Sequence, residues 1–270
     1  MSMPAYAALD QPEILAALFH PRREPETARG QTMVQVADAI AIGAALHLAG
    51  KEAPTILFFH GNGETAADYD EIGPVFNRHG LNFIAADYRG YGASTGTPSV
   101  SAMMADALTL FRYFRDWLCA EGYAAPLFVM GRSLGSGAAI EIAASHQAEI
   151  AGLIIDSGFG PTLPLLLSLG IDAGGLGINE GNGFRNLQKI AGIMKPVYIL
   201  HGQHDTLIPA SQAEMLQVQC PSHAKQFQIV PGADHNSLIL VAGERYFAAI
   251  KMFIDKTMKV RRRRSATERK

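Results

Sequence analysis

The chain has 270 residues, 48% of them hydrophobic and 18% charged, with a formal net charge of −2. It is long enough to bury a sizeable α/β core, and its charge balance excludes the strongly basic make-up of a nucleic-acid binder. Two cysteines, Cys119 and Cys220, form neither a disulfide framework nor a CxxC metal or redox pair, which fits a reducing compartment.

Residues 1–18 show no basic stretch followed by an apolar one, so no secretory signal is expected. Every longer apolar run is interrupted before it could span a bilayer, and no stable membrane insertion is expected. The expectation is a cytoplasmic protein forming one domain over residues 1–270.

Short apolar runs alternate with longer helical stretches, the pattern of a mostly parallel sheet with helices on both faces. Residues 37–48 alternate weakly and read as an early hairpin. Strands are predicted at 55–59 (TILFF), 82–87 (NFIAAD), 127–131 (LFVMG), 152–156 (GLIID), 197–200 (VYIL) and 227–230 (FQIV). Their near-continuous apolar character suits strands buried on both faces. Apolar residues at helical spacing predict helices over 101–118, 134–145, 211–218 and 237–256. Residues 158–195 run from an apolar stretch into a Gly-rich one, too long for a simple connection, and read as a lid. Residues 259–270 (KVRRRRSATERK) read as a basic, disordered tail, with Arg261 to Arg264 a solvated end rather than an anchor.

The sharpest signal is Gly131-Arg132-Ser133-Leu134-Gly135. A predicted strand precedes this G-x-S-x-G and a small-residue helix follows it, as a strained nucleophile turn requires. A hydroxyl needs a base to take its proton, and histidine is the usual one. Downstream lie His146, His201, His204, His223 and His235. His235 follows a strand and a loop, which makes it the candidate base. The acid that orients it is read as Asp205, just after the 197–200 strand. Asp156 is the second choice, and Asp234 is a rival beside the histidine. The backbone amide of Leu134 and one from the loop His60-Gly61-Asn62-Gly63 would hold an oxyanion. Asn62 is the choice for the second donor, with Gly63 next. His201, His204 and Asp205 could in principle supply metal ligands, but they lack an H-E-x-x-H or CxxC frame. No metal or other cofactor is expected.

These pieces, with Asp87-Tyr88-Arg89-Gly90-Tyr91-Gly92-Ala93-Ser94, resemble the α/β-hydrolase superfamily from about Ala37 to Lys256. The segments HGNG, DYRGYGAS, GRSLGSG and HGQHDTLIP stand in that family's order. The wording is closest to small-lid members, including bacterial esterase-like proteins and eukaryotic protein depalmitoylases. The resemblance implies a serine hydrolase that cleaves an ester or thioester through an acyl-enzyme, with Ser133, His235 and Asp205 as triad. It implies a small-molecule or acyl substrate, no nucleic acid, and no cofactor. Two alternatives stand beside it: a serine peptidase or amidase of the same fold, and a non-catalytic binding protein. Leu163, Leu165, Leu166, Leu167 and Leu169 either face an acyl group or belong to the core.

Overall fold

The computed structural model describes residues 6–23 and 31–267, with only the helical backbone given for 260–267. Helix α1 spans Pro12–Leu18, and the hairpin of β1 (Gln31–Ala37) and β2 (Ile40–His47) follows. Next come β3 (Thr55–Phe59), α2 (Gly73–Arg78), β4 (Asn82–Ala86), α3 (Val100–Ala120), β5 (Leu127–Arg132), α4 (Gly135–Ser145) and β6 (Leu153–Asp156). Two short helices, α5 (Thr162–Ser168) and α6 (Asn186–Ile190), precede β7 (Val197–Gly202) and α7 (Ala210–Gln219). The described chain ends with β8 (Lys225–Val230), α8 (Leu238–Ala242) and α9 (Glu244–Thr267).

The described strands form one eight-stranded sheet in the order β1-β2-β4-β3-β5-β6-β7-β8. The pairs β1/β2 and β2/β4 are antiparallel, and the rest are parallel. Successive side chains of a strand point to opposite faces, and both faces here are apolar. Leu57 and Phe59 enter one core with α3, α4 and α7, while Ile56 and Phe58 enter the other with α2, α8 and α9. This two-sided burial is why the strands read as continuous apolar runs. The expected fold is therefore present: a mostly parallel sheet with helices on both faces.

The connection from β3 leads to β4 on one side, and that from β5 leads to β6 on the other. The carboxyl ends of β3 and β5 thus flank a topological switch point, where open α/β sheets hold ligands.

Three expectations change. The hairpin begins earlier than residue 37: β1 pairs Gln31 with Ala45, and a register shift between Gln35 and Ala37 blurs its alternation. The helix expected over 237–256 is two helices, broken at Gly243 (φ 54°, ψ −137°). The basic end read as disordered continues α9 to Thr267, since Lys and Arg are good helix formers and the preceding turns are anchored by buried Ile250, Phe253 and Ile254. Residues 268–270 of that expected tail lie outside the description. Among the described residues, no helix is long and apolar enough to cross a membrane.

Candidate active site

Ser133 joins β5 to α4 with φ 51°, a left-handed backbone that a residue with a Cβ rarely adopts. The neighbouring glycines make this turn possible. A Cβ on Gly131 would lie 2.2 Å from the Gly135 carbonyl oxygen, and one on Gly135 would lie 2.1 Å from that of Phe59. The amide of Ser133 donates to the Asp156 carbonyl at 2.9 Å, which fixes the turn to β6.

Ser133 Oγ lies 2.8 Å from His235 Nε2, and His235 Nδ1 lies 2.7 Å from Asp205 Oδ2. His235 and Asp205 are 7% and 5% exposed, so this chain of contacts is shielded from competing water. Asp205 Oδ1 accepts the amides of Leu207 (3.1 Å) and Ile208 (2.8 Å). Burial alone would disfavour its charge. Hydrogen bonds from His201 and His235, the electrostatic attraction of the His235 ring and the Ile208 amide outweigh burial and hold Asp205 well below the ordinary carboxylate range.

The two rival acids have other partners. Asp156 accepts the hydroxyls of Ser157 (2.8 Å) and of Tyr246 from α9 (2.7 Å). Asp234 builds the turn that carries His235, accepting the amides of Asn236 (3.0 Å) and Ser237 (2.9 Å). The two histidines of HGQHD differ in environment. His201 is buried, donating from Nε2 to the Ile208 carbonyl at 2.7 Å and lying 3.2 Å from Asp205, whereas His204 is exposed. Among the described residues, no group of three or more His, Cys, Asp and Glu is arranged to hold a metal.

Asn62 follows β3 and faces the same small cavity as Ser133 and Leu134. That cavity has a volume of about 40 Å³ and is otherwise lined by Leu18, Leu165, Leu169, Leu207 and Ile208. The Asn62 and Leu134 amides donate to no other described residue. The Asn62 side chain is held by other partners: its Oδ1 accepts the His20 amide (2.8 Å) and the Tyr91 hydroxyl (3.1 Å). Behind the loop, buried His60 lies 3.2 Å from Asp87 Oδ1, which also accepts the Ala66 amide at 2.7 Å. A Cβ on Gly92 would sit 2.3 Å from Asp87 Oδ2, so part of the glycine pattern in DYRGYG makes room for this carboxylate.

The family model described as serine aminopeptidase, S33, matches residues 50–163. Protein bem46 of Schizosaccharomyces pombe is 31% identical over 211 residues, 74% of this chain and 67% of that protein. The α/β hydrolase domain-containing protein WAV2 of Arabidopsis thaliana is 27% identical over 75% of this chain and 70% of its own length. The structure of the Pyrococcus furiosus esterase Pf2001 superposes with a TM-score of 0.70 at 18% identity, covering 88% of this chain and 98% of that one. The chain belongs to the α/β-hydrolase superfamily. Ser133, Asp205, His235, Asn62 and Leu134 all lie together at the switch point of this α/β-hydrolase sheet.

Sequence reasoning did not single out three groups that border the site. Arg132, the x of G-x-S-x-G, donates to the His235 carbonyl at 2.8 Å and to Asn236 Oδ1 at 3.1 Å, and it also pairs with Glu64. Glu64 Oε2 in turn accepts the Gly61 amide and the Tyr69 hydroxyl, each at 2.8 Å. Leu18, from α1, closes one wall of the cavity. A charged residue beside a nucleophilic serine was the available signal for Arg132; for Leu18 no local signal exists.

Proposed function

We propose that this α/β-hydrolase-fold chain is a serine hydrolase that cleaves a carboxylic ester or thioester through an acyl-enzyme on Ser133. The observation that carries this reading is the continuous run Ser133 Oγ, His235, Asp205, with contacts of 2.8 and 2.7 Å on a strained turn. His235 Nε2 takes the serine proton as Oγ attacks the carbonyl carbon, and Asp205 holds the ring and stabilises its cation. The amides of Asn62 and Leu134 hold the oxyanion of the tetrahedral intermediate. The leaving alcohol or thiol departs with the proton from His235. Water then gives a proton to His235 and attacks the acyl-enzyme, releasing the acid and restoring the serine.

The cavity beside Ser133 supports a short acyl group. It is small, about 40 Å³, and mostly apolar, which fits a short acyl chain better than a long one. The stretch 158–195 is read as the lid, since Leu165 and Leu169 in it form one wall. An aminopeptidase has to hold a substrate ammonium, and the apolar lining offers it no carboxylate, which favours the ester reading over the peptidase one.

The test compares kcat/KM for p-nitrophenyl acetate, butyrate, octanoate and palmitate. Acetate or butyrate should be turned over best, with kcat lost by on the order of 10⁴-fold or more in Ser133→Ala. Turnover that survives Ser133→Ala would contradict the mechanism, and a palmitate optimum would contradict the short acyl pocket.

A further inference from the structure

Arg132 is a buried cation, 8% exposed, beside a serine whose chemistry does not use it. We propose that Arg132 is a positioning residue that clamps the His235 loop and the Asn62 loop onto the strand carrying Ser133. Its catalytic consequence rests on the serine-hydrolase reading; the clamp itself does not.

One guanidinium edge reaches forward to the base. Its Nη2 donates to the main-chain carbonyl of His235 at 2.8 Å and to Asn236 Oδ1 at 3.1 Å. The other edge, through Nη1, pairs with Glu64 Oε1. Glu64 passes this hold to the oxyanion loop, because its second oxygen accepts the Gly61 amide immediately before Asn62. Tyr69 donates to the same oxygen and fixes the carboxylate from behind. A Cβ on Gly61 would stand 2.7 Å from Arg132 Nη1, so the first glycine of HGNG leaves the guanidinium free to sit where it does.

A rigid planar fork can serve acceptors in two directions at once; the point charge of lysine cannot reproduce that geometry. Burying an ion pair is a poor route to stability, since well-packed apolar side chains of similar volume often serve as well or better. What the pair supplies here is relative placement. The nucleophile, the base and an oxyanion donor come from three loops far apart in sequence, and Arg132 touches or controls all three. Misplacing reacting groups by about 1 Å costs on the order of 100-fold in rate.

The test uses Arg132→Lys, which keeps the charge beside Glu64, and Glu64→Gln, which keeps the shape of the carboxylate arm. Thermal melts establish that each is folded. On p-nitrophenyl butyrate, kcat should fall by about 10- to 100-fold with KM held within about twofold, and the acid limb of the kcat/KM pH profile should move. The low-field proton resonance of the His235–Asp205 hydrogen bond, which requires no turnover, should broaden or shift in both variants. A folded Arg132→Lys with wild-type kcat and an unchanged resonance would overturn the clamp. If instead wild-type turnover does not depend on Ser133 while the resonance still responds to Arg132, the hydrolase reading fails and the clamp stands. Should Arg132→Lys fail to fold, Glu64→Gln decides by the same measurements.

Discussion

Ser133 is held where a left-handed backbone costs about 1–2 kcal/mol, and that strain persists because the surroundings leave no alternative. Gly131 and Gly135 permit backbone contacts that any side chain would block, and the Asp156 carbonyl ties the Ser133 amide. Asp205 is the site carboxylate whose ionised form its surroundings favour. Asp205→Asn should lower kcat on the order of 10⁴-fold, because an amide can donate to His235 Nδ1 and so favour the wrong tautomer. The same variant tests the charge. The folded pKa of Asp205 is depressed, so its ionisation contributes stability fully above the unfolded value of about 3.9, and this is lost as pH falls through the folded value. In urea unfolding, the stability gap between wild type and Asp205→Asn should therefore be wider at pH 7 than at pH 2. A gap of equal size at both would contradict this assignment.

At the scale of elements, the stretch between β6 and β7 is organised by one carboxylate. Glu180 accepts the amides of Thr162 and Leu163, each at 2.8 Å, at the first turn of α5. Negative charge there satisfies otherwise orphaned amides and complements the helix dipole. Leu165, one turn further on, and Leu169, at the C-terminal end of α5, line the cavity. Glu180→Ala should cost about 1 kcal/mol, as a lost helix cap does, lower Tm by about 2–4 °C, and raise KM for the butyrate ester more than it lowers kcat. An unchanged KM would detach α5 from substrate binding. The existence of this stretch was legible from its length and glycine content. Its cap was not, because Glu180 lies beyond the helix in the chain and only the folded turns bring it back. The same reasoning applies to α8 and α9. Their common apolar periodicity read as one helix, and only the backbone of Gly243 reveals the break.

For the whole molecule, the sheet was legible because parallel strands buried on both faces leave continuous apolar runs between helical stretches. The candidate site was legible to the same degree, because each of its residues closely follows a strand in a glycine-marked segment: HGNG after β3, GRSLG at the end of β5, HGQHD at the end of β7 and PGADH after β8. The contacts between these loops were not. Arg132 with Glu64 and His235, and Asn62 with His20, pair residues that no local pattern connects. The sheet's switch point makes them neighbours. It also gathers Ser133, His235 and Asp205 into one shielded run of hydrogen bonds, and on that run the account depends. The most direct measurement is the intact mass of the folded protein after reaction with a small fluorophosphonate. The account predicts one adduct, mapping to Ser133 and absent in Ser133→Ala. No adduct, or an adduct on another residue, would contradict it.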